Sequence, residues 1–396
     1  TEIYTLSLHD ALPIWCWRLM VKISIEAKVL VFIVNILLRL MRAFPVHDGK
    51  VVYWARGLSL YGNASSLCQE WIKKRGTKHV FLVDKASLVH SDVLSGAYFV
   101  SLRSIGAIFH LATCKYLIRE TDVASPPLYI RPETKVVQLW HAAGAFKKFG
   151  LDIHNRSKKL QRYRFIDANR WNMLLCSSES IVNIYSKAFG LKNNKIIYVD
   201  GLPRNDNLFM ALQINKELKQ KYGFDEDKKI ILFAPTFRDD HSGGEYFSNL
   251  AFSLVEFLSN EYIICVRLHP SCKASVEIPD SVIDVSSIHP LEVLLSFSDI
   301  LITDYSSIVF DFACLKRQMI FYAPDLNKYV KDRDFYFGYS GFVPGPICRE
   351  PFEVVDAIKN YSLDQWLEKI SDFKKIYNPF FDGKASSRII EKVTSE

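Results

Sequence analysis

The chain has 396 residues, 49% of them hydrophobic and 23% charged. That length exceeds one ordinary domain and suits two of medium size, and the composition excludes bulk disorder. A net charge of +7 is compatible with phosphate-bearing ligands, an anionic membrane surface or nucleic acid, and selects none of them.

Residues 1–19, beginning at Thr1, have neither a clear period nor the make-up of a signal peptide and read as a non-native leader, with Met20 as the natural start. Residues 20–44 follow as a strongly apolar helix with basic ends, carrying Lys22, Lys28, Arg39 and Arg42. Its apolar stretch of about ten residues is shorter than the ~20 that span a bilayer. Two readings stay open for it, a membrane-surface anchor and a helix packed on the following domain.

From residue 45 to about 210, short apolar runs alternate with helical stretches. Strands are predicted at 51–55, 79–84, 97–102, 115–120, 135–141, 172–178 and 195–200. The same rhythm restarts in residues 211–396, with strands at 228–236, 262–270, 282–287, 299–305 and 318–324. Continuous apolar runs such as KKIILF are those of parallel strands buried on both faces. The fold class predicted is α/β, two doubly wound Rossmann-like domains facing a cleft. The eight cysteines include no C-x-x-C pair and several lie inside apolar runs, which points to reduced core thiols and a cytosolic setting.

Ligands of such sheets bind beyond the carboxyl ends of the strands, so the polar residues there carry the argument. Trp140-His141-Ala142-Ala143-Gly144, followed by Lys147 and Lys148, joins a histidine to small residues and two cations. This suits a phosphate-handling loop in which His141 takes a proton from a hydroxyl, and equally a histidine that merely ends a strand. Arg238, after Thr236, offers a planar fork to a phosphate or a local ion pair with Asp239 or Asp240. His269 follows Arg267 and precedes Pro270, placed to neutralise a leaving phosphate or to act as a structural histidine. Asp304-Tyr305-Ser306-Ser307 joins a strand to a helix, with Ser306 as the N-cap and Ser307 in the first turn, an arrangement suited to a diphosphate or to simple capping. Dinucleotide, P-loop, serine-hydrolase and nucleic-acid fingerprints are absent.

The order VVQLWHAAGAFKKFG, GLPRND, ILFAPTFRDD, VRLHP, LITDYSSIVFDFACLKRQMIFYAPDLNKY, RDFYFGY and FVPGP resembles the CDP-glycerol glycerophosphotransferase family of teichoic-acid synthesis. The resemblance implies a glycosyltransferase-B type fold with an N-terminal acceptor-side domain (45–210) and a C-terminal CDP-polyol donor domain (211–396). It implies no metal and no cofactor. By that resemblance His141 is the base on the acceptor hydroxyl and His269 the second catalytic histidine. Arg238, Ser306 and Ser307 hold donor phosphates, with Thr236 and Asp304 beside them, while Ala142, Gly144 and Lys147 form the acceptor loop. Pro203, Arg204 and Asp206 match a family signature and are assigned a structural role. Ala142-Ala143-Gly144 departs from the W-H-G-T read in many members.

The function expected is transfer of glycerol phosphate from CDP-glycerol, releasing CMP, to a hydroxyl of a lipid-linked saccharide or poly(polyol phosphate) acceptor of teichoic-acid or capsule type. It would act at the cytoplasmic membrane surface and without nucleic acid. A ribitol-phosphate transferase, a nucleotide-sugar glycosyltransferase and a non-enzymatic membrane scaffold are the alternatives.

Overall fold

The computed structural model describes residues 25–395 apart from 55–60, 75, 85–93, 122–126, 154–156, 237, 239–243, 269–275, 333 and 361–362. The described chain divides into two units, the first made of residues 25–142, 149–206 and 382–395, the second of 143–148 and 207–381.

The first unit is built on seven strands: β1 His47–Trp54, β2 Lys78–Val83, β3 Ala97–Ser101, β4 Cys114–Arg119, β5 Lys135–Gln138, β6 Met173–Cys176 and β7 Ile197–Val199. They lie in the order β3-β2-β1-β4-β5-β6-β7 with every pairing parallel. Val51, Val52 and Tyr53 at the centre of β1 are wholly buried, because crossover helices cover both faces of a parallel sheet. Strand β5 stops at Gln138 although its apolar run continues. Trp140 turns into the left-handed region at φ 56°, and its N–H is taken by the Gln138 side chain at 3.0 Å.

The second unit carries β8 Lys229–Phe233, β9 Tyr262–Val266, β10 Ile283–Asp284, β11 Ile300–Thr303, β12 Gln318–Tyr322 and β13 Ile347–Cys348, in the order β10-β9-β8-β11-β12-β13, again all parallel. One core joins Ile231, Phe233, Phe247, Leu250, Ile302 and Ile320. The two-residue β13 has no counterpart among the expected strands, whereas the equally short β10 lies inside the expected 282–287. Both sheets are doubly wound, and the order reverses between β1 and β4 in one and between β8 and β11 in the other. These are the positions where such sheets open toward ligands.

The sequence reading placed residues 211–396 together. The helix Ala385–Ser395, however, counts with the first unit, where Ile389, Ile390 and Val393 are buried. Asp206 accepts the Ala385 and Ser386 N–H groups at 3.0 and 2.7 Å, satisfying the first turn of that helix. Arg388 grips Asp200 through Nε and Nη2 at 2.8 and 2.5 Å.

At the N-terminal side, the helix Ile25–Leu40 has two characters. Leu38 is buried, and the Asn35 side chain donates to Pro127 O at 3.3 Å and accepts from Tyr129 N. Val29, Leu30, Phe32, Ile33, Ile36 and Leu40 are exposed. Among the described residues no helix is long and apolar enough to cross a membrane.

Candidate active site

Beyond β1 and β4, where the first sheet reverses its order, lies a cavity of about 280 Å³ lined by Tyr61, Gly62, Asn63, Glu120, Thr121, His141 and Arg204. Gly62 is required there. Its φ is 132°, and a Cβ would stand 3.1 Å from the Glu120 carboxylate. Glu120, buried, accepts the Ala64 N–H at 2.6 Å in the first turn of the helix Asn63–Trp71. Asn63, also buried, donates to Trp140 O at 2.9 Å and accepts from Arg204 N at 3.2 Å.

His141 is exposed at this cavity. Its Nδ1 lies 3.3 Å from the Glu120 carbonyl, and a carbonyl only accepts, so Nδ1 carries the proton. In the neutral ring the lone pair is then on Nε2, the state of a proton acceptor. The Trp140 indole packs 4.2 Å from the imidazole, and Arg204 Nη1 donates to His141 O at 2.6 Å. Ala142 O accepts from the Tyr185 hydroxyl at 3.1 Å.

Residues 143–148 belong to the second unit. Gly144 takes φ 70° against the Phe310 ring, where a Cβ would come within 2.1 Å. Phe146 stacks among Phe335, Phe342 and Tyr339. Lys147 lies over the Tyr329 ring at 5.3 Å, and Lys148 pairs with Asp334 at 2.5 Å. The three residues read as one acceptor loop are therefore divided, Ala142 in the first unit and Gly144 and Lys147 in the second.

At the switch point of the second sheet, Asp304 accepts the Thr236 N–H at 2.9 Å and ties the end of β8 to the end of β11. Tyr339 donates its hydroxyl to Asp304 O at 2.9 Å. Arg238 differs from its sequence reading. Its fork is taken by Asp325, Nε to Oδ2 at 2.6 Å and Nη2 to Oδ1 at 3.0 Å, and Nη1 donates to Thr236 O at 2.6 Å. Nη1 also lies 2.9 Å from Asp304 Oδ2, close enough for an ion pair but without the alignment of a hydrogen bond. The Tyr305 and Tyr329 rings stack on each other at 3.8 Å, and the guanidinium lies 4.8 and 4.9 Å from their centroids. Burial opposes the Arg238 charge, yet Asp304 and Asp325 more than offset it and raise its pKa. Burial likewise pushes the Asp325 carboxyl upward, and the Arg238 hydrogen bonds reverse this and hold it below the usual carboxylate range. The fork thus faces two carboxylates, Asp325 and Asp304.

Ser307 occupies the N-cap position of the short helix Ile308–Ala313 without a side-chain cap bond, and it is Ser306 Oγ that accepts the Ile308 N–H, at 3.3 Å. Among the described residues the Thr236 hydroxyl has no hydrogen-bond partner. His269 lies outside the described residues. Just before it, Arg267 donates to Ile288 O at 2.8 Å and Leu268 N to Ser286 Oγ at 2.9 Å, which fixes the chain leading to that position. The sequence reading missed Asn63, Glu120 and Asp325. It singled out Arg204 only as structural, although the GLPRND signature was a signal for it.

The chain matches, over residues 36–395, the family described as CDP-Glycerol:Poly(glycerophosphate) glycerophosphotransferase. It is 36% identical over 305 residues to a teichoic acid ribitol-phosphate primase of Bacillus spizizenii, covering 73% of this chain and 77% of that protein. A teichoic acid glycerol-phosphate primase of the same species is 35% identical over 301 residues, 73% of this chain and 76% of the relative. A teichoic acid poly(ribitol-phosphate) polymerase from that species is 32% identical over 89% of this chain, which spans only 57% of its length. The fold matches that of the wall teichoic acid polymerase TagF with a TM-score of 0.81 at 24% identity, over 96% of each chain. With a family match that takes in both sheets, the cavity at His141 and Arg238 with its two carboxylates, this chain belongs to the CDP-glycerol:poly(glycerophosphate) glycerophosphotransferase family and is an enzyme of polyol-phosphate transfer.

Proposed function

We propose that this chain transfers glycerol phosphate from CDP-glycerol to a hydroxyl of a lipid-linked acceptor of teichoic-acid or capsule type, releasing CMP. The observation that carries the catalytic part is His141, held by a backbone carbonyl in the tautomer that can accept a proton, at the edge of a polar cavity. The acceptor oxygen attacks the β-phosphorus as His141 Nε2 takes its proton. The bond from that phosphorus to the bridging oxygen breaks, and CMP leaves with the electron pair. His269, the Thr236 hydroxyl and the Ser306-Ser307 turn stabilise the charge on the donor phosphates. Arg238 contributes by fixing the β8 and β11 ends rather than by direct contact.

The exposed apolar residues of the helix Ile25–Leu40, with Lys28, Arg39 and Arg42 exposed beside them, support peripheral attachment to the cytoplasmic face of an anionic membrane.

The relatives include both glycerol- and ribitol-phosphate enzymes, so the assay offers labelled CDP-glycerol and CDP-ribitol in parallel with a lipid-linked acceptor. Transfer from CDP-glycerol is expected, falling at least 10²-fold in His141→Ala. Transfer from a sugar nucleotide and from neither CDP-polyol would overturn the reading.

A further inference from the structure

Trp140 is one of two described non-glycine residues with positive φ, and it directly precedes the proposed base. A bulky side chain in the left-handed region is strained and persists only where its surroundings over-determine it. Those surroundings are specific. Gln138 accepts the Trp140 N–H, and the indole is packed by Phe149 and Phe189 at 5.3 and 5.0 Å. The Trp140 carbonyl is held by Asn63 Nδ2 at 2.9 Å, and the next carbonyl, that of His141, by Arg204 Nη1 at 2.6 Å. The main chain on both sides of His141 is thus pinned by two side chains, and the two residues are linked, since Asn63 Oδ1 accepts the main-chain N–H of Arg204 at 3.2 Å.

The orientation of the Asn63 amide follows from its partners, one of which only accepts and the other only donates. Asn63 is buried to 1% exposure and opens the helix Asn63–Trp71, while Arg204 lies in the first turn of the helix Pro203–Gln213. Two helix starts, 141 residues apart in sequence, converge on one turn. A mere cap satisfies its own helix, whereas these two side chains fix the carbonyls that flank a single exposed histidine.

We propose that Asn63 and Arg204 are positioning residues that aim the His141 imidazole at the cavity. The inference rests on His141 being the base. It predicts that Asn63 acts on turnover only through His141. Asn63→Ala should lower kcat about 10²-fold, the loss typical of a reacting group displaced by ~1 Å, with KM for CDP-glycerol within about twofold of wild type. Arg204→Met, which removes one of the two carbonyl donors, should lower kcat about tenfold. Nitrogen NMR of the histidines should show the Nδ1–H tautomer of His141 giving way to a mixture in Asn63→Ala.

The deciding measurement is the double variant. Asn63→Ala added to His141→Ala should cause no further loss, because groups that act as a unit are not additive. Losses that multiply, or Asn63→Ala with wild-type kcat, would overturn the positioning role. If Asn63→Ala does not fold, the same cycle run with Arg204→Met decides the proposal by the same criteria. If instead His141→Ala alone keeps full transfer, the assignment of the base has failed, and the cycle reports that separately.

Discussion

Asp325 and Arg238 form a pair almost out of water, their side chains 6% and 5% exposed, and the two are 87 residues apart in sequence. Breaking such a pair from one side leaves an uncompensated buried charge, a loss of about 3–5 kcal/mol. Asp325→Asn is therefore expected to lower the unfolding free energy by about that amount in urea titration. Because the Asp325 carboxyl is held below its usual range in the folded state, its contribution is complete above the unfolded carboxylate value and is lost as pH falls below ~4. This pair also shows what a sequence leaves hidden. Arg238 was recognisable as a charged residue past a buried strand, but its partner was sought at Asp239 or Asp240, since local pairs are the ones visible in one dimension. Asn63 and Glu120 were hidden for the same reason, as their polar side chains acquire meaning only when β1 and β4 become neighbours. His141 was legible because histidine, small residues and lysines follow one another directly along the chain.

At the scale of elements, the positions of most strands could be read from apolar runs, and the start of β8 and both ends of β11 fell within two residues of those expected. The end of β5 could not, because a side chain, Gln138, stops it. The element most exposed to acid is β2 with its neighbours. His79 is buried in β2 between the Tyr53 hydroxyl at 3.0 Å and the Thr77 hydroxyl at 2.9 Å, and burial lowers its pKa to about 4. His110, in the helix Ile105–Thr113, is lowered to about 4 by burial and then by Lys50 and Lys78. A histidine whose folded pKa is depressed binds its proton more readily when unfolded. Its contribution is complete above the unfolded value near ~6.5 and is lost progressively as pH falls from there toward about 4. Urea titrations at stepped pH should show stability declining across that window, well before carboxylates such as Asp325 titrate. The slope should be reduced in His79→Gln, and an unchanged slope would remove His79 from the account.

For the whole molecule, two doubly wound units follow from a βαβ rhythm that appears twice in the sequence, and the sheet orders follow from rules of crossover and twist rather than from any residue. The exposed apolar face of the helix Ile25–Leu40 makes a prediction at this scale. Replacing Leu30, Phe32 and Ile33 by serine should abolish co-sedimentation with phosphatidylglycerol vesicles while leaving the melting temperature within a few degrees, since these side chains are already out of the core. Retained binding would place attachment elsewhere. The helix Ala385–Ser395 has a different consequence. Arg388 meets Asp200 across 188 residues of chain. At roughly 5–20 residues per second of synthesis, the ribosome needs about 10–40 s to bridge that interval. The first unit therefore waits, nearly complete, while the second is translated, and closes only when residues 385–395 emerge to cover it.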